Sequence, residues 1–216
     1  MMQTDLGIPA FVTRWTASPF AGLDLSPWHI TQAAEAIIEA TLATLNEDYR
    51  REGGTAAHAS ATIERGAVLK GPIIIGPGCF VAAGAYLRGG VYLEARCIIG
   101  PGSELKSVFM FEGSKLAHFN FVGDSILGAD VNVEAGAILA NYRNEAPDKS
   151  IRFCRGNRIV ETGVDKFGAL VGDGSRIGAN AVIAPGAVLE VKTIVPRLAL
   201  IDQQPMSGSH NSSTSP

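Results

Sequence analysis

Three cations recur at a fixed interval in this 216-residue chain: Lys70, Arg88 and Lys106, each eighteen positions from the next. Each directly follows an apolar residue (Leu69, Leu87, Leu105), so in a chain coiling with an eighteen-residue rung all three leave the same face. Parallel strands of successive rungs lie about 4.8 Å apart, which brings Arg88 and Lys106 side by side. Like charges so close repel unless an anion lies between them. A phosphate suits the pair, with Arg as a planar fork and Lys as a point charge. His118 lies twelve positions after Lys106, hence on another face of such a coil. Imidazole is the side chain best placed by pKa to accept a proton near neutral pH. The same residues also suit plainer roles: a solvated basic face balanced by Glu64, Glu94 and Glu104, and a surface histidine.

The elements that must position these groups are set by an internal repeat. Stepping by six from Ile63 gives Leu69, Ile75, Val81, Leu87, Leu93, Ile99, Leu105, Phe111 and Ala117, all apolar. Four residues after each of the first seven comes Ala67, Ile73, Cys79, Ala85, Val91, Cys97 or Ser103. The phase shifts and resumes at Leu127, Val133 and Leu139, and again at Val171, Ile177, Ile183 and Leu189. A period of six fits neither an α-helix nor an alternating strand. It fits an all-β solenoid, a left-handed parallel β-helix of triangular section with three hexapeptides per rung, over residues 57–200. Cys79 and Cys97, eighteen apart, fall in one inward stack as packed thiols. A triangular prism packs well around a three-fold axis, so the chain is expected to form a homotrimer.

Residues 1–56 read as an N-terminal helical appendage. Ser26-Pro27 is a helix start, and Ile30, Ala33, Ala34, Ile37, Ile38, Leu42 and Leu45 follow at helical spacing. One helix is expected over 27–51, ended by Gly53-Gly54 and covering an end of the coil or a neighbouring subunit. Residues 143–166, dense in charge, read as a loop protruding from the coil, and 201–216 as a disordered tail.

A net charge of −3 and a pI near 5.8 argue against nucleic-acid binding. No apolar run reaches membrane-spanning length, no secretory signal opens the chain, and three cysteines make no disulfide framework. A cytoplasmic protein with no membrane partner is expected. The histidines His29, His58, His118 and His210 are scattered, so no metal site is expected.

Arg88 to Pro185 resembles the acetyltransferase domain of bifunctional sugar-1-phosphate nucleotidyltransferase/acetyltransferases, members of the hexapeptide-repeat acyltransferase family. The resemblance rests on Leu87-Arg88-Gly89-Gly90, on Gly113 to Asp124 around His118, on Val131 to Gly136, on Ala140-Asn141-Tyr142 and on Asp165 to Asp173. It implies that His118 is the general base for the attacking sugar amine. It implies that Arg88 and Lys106 hold the sugar phosphate, with Asn132 and Asn141 lining the acceptor site and Lys149 matching a substrate-binding lysine. It places the backbone of Gly168, Ala169 and Ala184 along the thioester and pantetheine of acetyl-CoA. Two positions depart from the family: Phe121 stands where a tyrosine is usual, and Glu134 where a glycine is. Residues 1–56 offer no glycine-rich nucleotide loop. The implied activity is acyl transfer from acyl-CoA, N- more than O-directed, to a phosphorylated or nucleotide-linked amino sugar. The alternative is a trimeric module that binds a sugar phosphate, or acts as a scaffold, without catalysis.

Overall fold

In the computed structural model, which describes residues 6–205, the chain winds into a left-handed parallel β-helix with three faces. The first face stacks seven two-residue strands, among them Ile98–Ile99, Lys115–Leu116, Asn132–Val133 and Arg176–Ile177. The second carries Val68–Lys70, the first halves of Tyr86–Leu93, Glu104–Met110 and Phe121–Leu127, then Ile138–Leu139, Val182–Ile183 and Leu200–Ile201. The three long strands turn a corner, and their second halves join Ile73–Ile75, Ala169–Val171 and Ala187–Leu189 on the third face. Ile75, Val81, Leu87, Leu93, Ile99 and Leu105 are buried inside the coil, each stacked on its like. Burial of one such side chain is worth about 1.5–3 kcal/mol. Cys79 and Cys97 share that interior, as the repeat requires.

The rung length changes part-way. Leu87 pairs with Leu105, eighteen residues on, but Leu93 pairs with Met110, only seventeen on. The slip falls at one corner: Gly89-Gly90 turns it in one rung and Ser107 alone, at φ 55°, turns it in the next. From there Met110 and Leu116 take the interior positions that stepping by six assigns to Phe111 and Ala117. Phe111 instead lies in a second core outside the coil.

That second core covers the third face. Ile74, Tyr92, Phe109, Ile126, Leu170 and Val188 point outward from six successive rungs and are buried by residues 6–42 together with Ile151, Phe153, Val164 and Phe167. Phe20 meets Tyr92 and Phe109 edge-on at 4.8 and 5.0 Å, and Trp15 packs on Phe111, geometries favourable for aromatic pairs. Arg14 pairs with Glu94 and Glu112, and Asp173 accepts the Thr13 N–H and hydroxyl, which ties this segment to two further corners.

The expected single helix over 27–51 is two helices and a strand. Helix α1 (Pro27–Gln32) begins at Ser26-Pro27 as expected, and α2 (Ala34–Leu42) follows after a break at Ala33. Gly90 explains the break: a Cβ there would lie 2.5 Å from the Ala34 carbonyl carbon, so the coil's corner presses directly on the junction. Gly53-Gly54 is a hairpin turn, not a helix end. Both residues have positive φ, as a two-residue turn needs, and they join Tyr49–Glu52 to Thr55–His58, which pairs with Ile73–Ile75. The helices therefore lie along a flank instead of capping an end, and Ile63 on the first rungs remains 37% exposed.

The protruding segment at 143–166 contains an antiparallel hairpin, Arg152–Arg155 with Arg158–Glu161. Its Ile151, Phe153 and Val164 are buried near Trp28 and Phe167. The expected tail at 201–216 is ordered at its start. Ile201 pairs with Ile183, Gln203 accepts the Cys154 N–H, and Asp202 takes the guanidinium of Arg143, itself only 2% exposed. Residues 206–216 lie outside the described residues.

Candidate active site

Lys70, Arg88 and Lys106 are direct neighbours in register on the second face, as the eighteen-residue spacing requires. They line a cleft of about 810 Å³ at the corner between the second and third faces. The α1–α2 junction forms one wall and Gly163–Lys166, where the excursion returns, forms another. Lys70 and Arg88 both lie over the Tyr86 ring, at 5.2 and 5.7 Å, an arrangement that favours cations.

The anion expected between the cations is supplied by the chain itself. Arg88 holds Glu104 through Nε and Nη2 at 2.9 and 2.7 Å. Lys106 Nζ donates to both oxygens of Asp124 at 2.8 and 2.9 Å. Asp124 is 3% exposed and also accepts from Asn141 Nδ2. Lys106 and Asn141, named separately as acceptor residues, therefore meet on one carboxylate. The shortened rung sets that carboxylate one residue past Gly123, the register partner of Lys106.

His118 does not join this cleft within one chain. It is exposed at the corner between the first and second faces, next to Phe119, which is 73% exposed at φ 52°. Asn132 sits on the first face in a second groove of about 580 Å³, in register between Lys115 and Arg176. Glu134 borders that groove with its charge already matched. Arg197, then the Ala179 N–H, hold its carboxyl below the usual carboxylate range. Phe121 lies on the second face in register with Glu104. Lys149 is turned onto backbone, donating to the carbonyls of Arg143 and Asn144.

Gly168, Ala169 and Ala184, expected along the thioester and pantetheine, lie in the wall of the coil. Their N–H groups are already engaged: Gly168 by the Asp124 carbonyl, Ala169 by Ser125 Oγ, Ala184 by the Ile201 carbonyl. They are buried in the coil's wall, so they offer a ligand no free amide donor.

The family described as "Bacterial transferase hexapeptide (six repeats)" matches residues 72–107, which include Arg88 and Lys106 of the cation ladder. Those residues are hexapeptide repeats of the kind this family describes. A bifunctional sugar-1-phosphate nucleotidylyltransferase/acetyltransferase of Sulfurisphaera tokodaii is 40% identical over 83 residues, covering 38% of this chain and 20% of that protein. The bifunctional protein GlmU of Paenarthrobacter aurescens is 34% identical over 176 residues, covering 71% of this chain and 35% of its own length. This hexapeptide-repeat chain thus spans a fifth to about a third of the length of these relatives. The solved structure of an Arabidopsis UDP-N-acetylglucosamine acyltransferase is 16% identical with a TM-score of 0.36, covering 68% of this chain and 61% of that one. Among the described residues no helix is long and apolar enough to cross a membrane, and no group of three or more His, Cys, Asp or Glu is placed to hold a metal.

Proposed function

We propose that this chain is an acyl-CoA-dependent acyltransferase that acts, as a trimer, on a phosphorylated or nucleotide-linked amino sugar. The observation that carries the reading is the ladder of Lys70, Arg88 and Lys106 on the second face, whose other edge bears His118. The partial match to a bifunctional sugar-1-phosphate nucleotidylyltransferase/acetyltransferase supports it.

The site is completed between copies. Residues 6–42 cover the third face, which leaves the first and second for neighbours. Both present apolar side chains to solvent, with Ile194 72% exposed on the first and Leu200 65% on the second. When the first face of one copy meets the second face of the next, Asn132 is brought toward Arg88 and Lys106, and His118 stands where the two open faces join. His118 takes the proton from the acceptor amine as its nitrogen attacks the thioester carbonyl. The carbon–sulfur bond then breaks, and the CoA thiolate recovers the proton. A backbone N–H meets the tetrahedral oxyanion, the usual means of lowering the barrier in acyl transfer.

The test is acetyl-CoA consumption with glucosamine 1-phosphate. His118→Ala should lower kcat by about 10²–10⁴-fold, the range for losing a general base. An unchanged rate in an active preparation removes the assignment. A second reading, a sugar-phosphate-binding or scaffold module without chemistry, is favoured by the carboxylates already on Arg88 and Lys106 and by Phe121. Sugar-phosphate binding with no CoA binding, measured by calorimetry, would select it.

A further inference from the structure

The carboxylate beneath the cation ladder is unassigned, and it touches more of the site than any residue chosen for chemistry. Asp124 accepts from Lys106 Nζ with both oxygens, from Asn141 Nδ2 with one, and from the Gly168 N–H with its main-chain carbonyl. Those groups come from three places: a strand of the second face, the point where the excursion leaves the coil, and the point where it returns. Asp124 stands at the corner one rung below Ser107, at φ 42°, a left-handed conformation that Asp tolerates better than most side chains. The backbone is thus bent to present this carboxylate to the cleft.

We infer that Asp124 is the positioning residue of the cleft: it fixes the Lys106 ammonium, and with it Asn141, so that an anionic ligand meets a preset cation. This rests on the reading of the cleft as the site of a phosphorylated acceptor. An ammonium has three donors. Two are engaged by Asp124, and the third has only a 3.4 Å contact with Ser107 Oγ, which a ligand oxygen can displace. Without the carboxylate, the four-carbon stem of Lys106 is free to sample rotamers, and the ligand must order it at its own expense.

The decisive experiment is a double-mutant cycle on the full chain, because only a residue acting through Lys106 shows coupling to it. Asp124→Asn keeps the shape and tolerates the same backbone conformation, and Lys106→Met keeps the apolar stem. Calorimetric titration with glucosamine 1-phosphate should show Asp124→Asn weakening binding about tenfold, within the coupling range of contacting polar residues. In the Lys106→Met background the same substitution should change affinity less than about twofold. Equal losses in both backgrounds, or no loss in either, overturn the inference. A second arm needs no ligand: labelling with an amine-acylating reagent, read by mass spectrometry, should be slow at Lys106 in the native chain and several-fold faster in Asp124→Asn. If the native chain binds no sugar phosphate, the acceptor assignment fails by itself and the labelling arm decides. Faster labelling of Lys106 sustains the positioning role, and an unchanged rate ends it.

Discussion

Arg143→Met tests how the excursion is fastened. Arg143 is 2% exposed, and its guanidinium donates to Asp202 at 2.7 and 3.2 Å, to the Pro185 carbonyl at 3.0 Å and to Glu145 at 3.3 Å. The two short bonds matter most, since hydrogen bonds to charged groups contribute about 1.5–3 kcal/mol each. Met fills much of the same volume, so little cavity forms. Asp202 is 37% exposed and regains water, which discounts its share, whereas the Pro185 carbonyl is left without this donor. The expected loss is about 2–4 kcal/mol, or roughly 5–12 °C in Tm for a domain of this size. The loss also has a pH signature. Arg143 holds the Asp202 carboxyl below its ordinary value. The stabilisation is therefore complete above the unfolded pKa, near 3.9, and is lost as pH falls through the lower folded value. Urea denaturation between pH 7 and pH 2.5 should show the native chain losing this increment on acidification, and Arg143→Met lacking it throughout. Amide exchange over 143–167 and 200–204 should rise together in the variant. A change below about 0.5 kcal/mol at pH 7, with exchange in those segments unaltered, would refute the clamp.

Two more outcomes follow from packing. Gly90→Ala places a Cβ 2.5–2.8 Å from the backbone of Ala34 and Glu35 at φ 85°, so it should cost several kcal/mol and loosen α1 and α2; urea melts and limited proteolysis near residue 33 would show it, and native resistance would contradict the close approach. Of the three cysteines, Cys79 and Cys97 are buried and Cys154 is exposed. The adjoining Cys79 thiol and burial also push the Cys97 thiol up. A thiol reagent should therefore modify one cysteine quickly in the native chain and all three in denaturant, and fast labelling of two would show that the interior is open.

The hexapeptide period made the coil, its interior and the cation ladder legible, because each depends on spacing alone. The seventeen-residue rungs were hidden. Their cause is a corner that Gly89-Gly90 turns with two residues and Ser107 with one, a difference of backbone path that side-chain periodicity does not record. The helix over 27–51 was read too long because Leu45 happens to continue the spacing, while Gly53-Gly54 serves equally as a helix stop and a hairpin turn. The second core went unread since Phe11, Trp15 and Phe20 follow no period; they answer to the outward residues of a sheet formed far along the chain. In the site, the cations and Glu104 were legible, but Asp124 was not, because the seventeen-residue rung puts Gly123 opposite Lys106 and leaves Asp124 at the corner. His118 stands at the opposite edge of the second face from the cation cleft, and only the proposed trimer would bring it to Arg88, which no pattern within one chain records.

A bare solenoid is a stack of near-independent layers, each touching only the one above and below, and such stacks fray from their ends. Here the N-terminal segment and the excursion residues Ile151, Phe153, Val164 and Phe167 together span six layers, from Ile74 to Val188. Peeling away the rung that carries Val188 exposes not only its own strands but part of a shared outer core. The molecule should therefore melt as one body rather than unzip, and trimming the first forty residues should turn one sharp transition into a broad one.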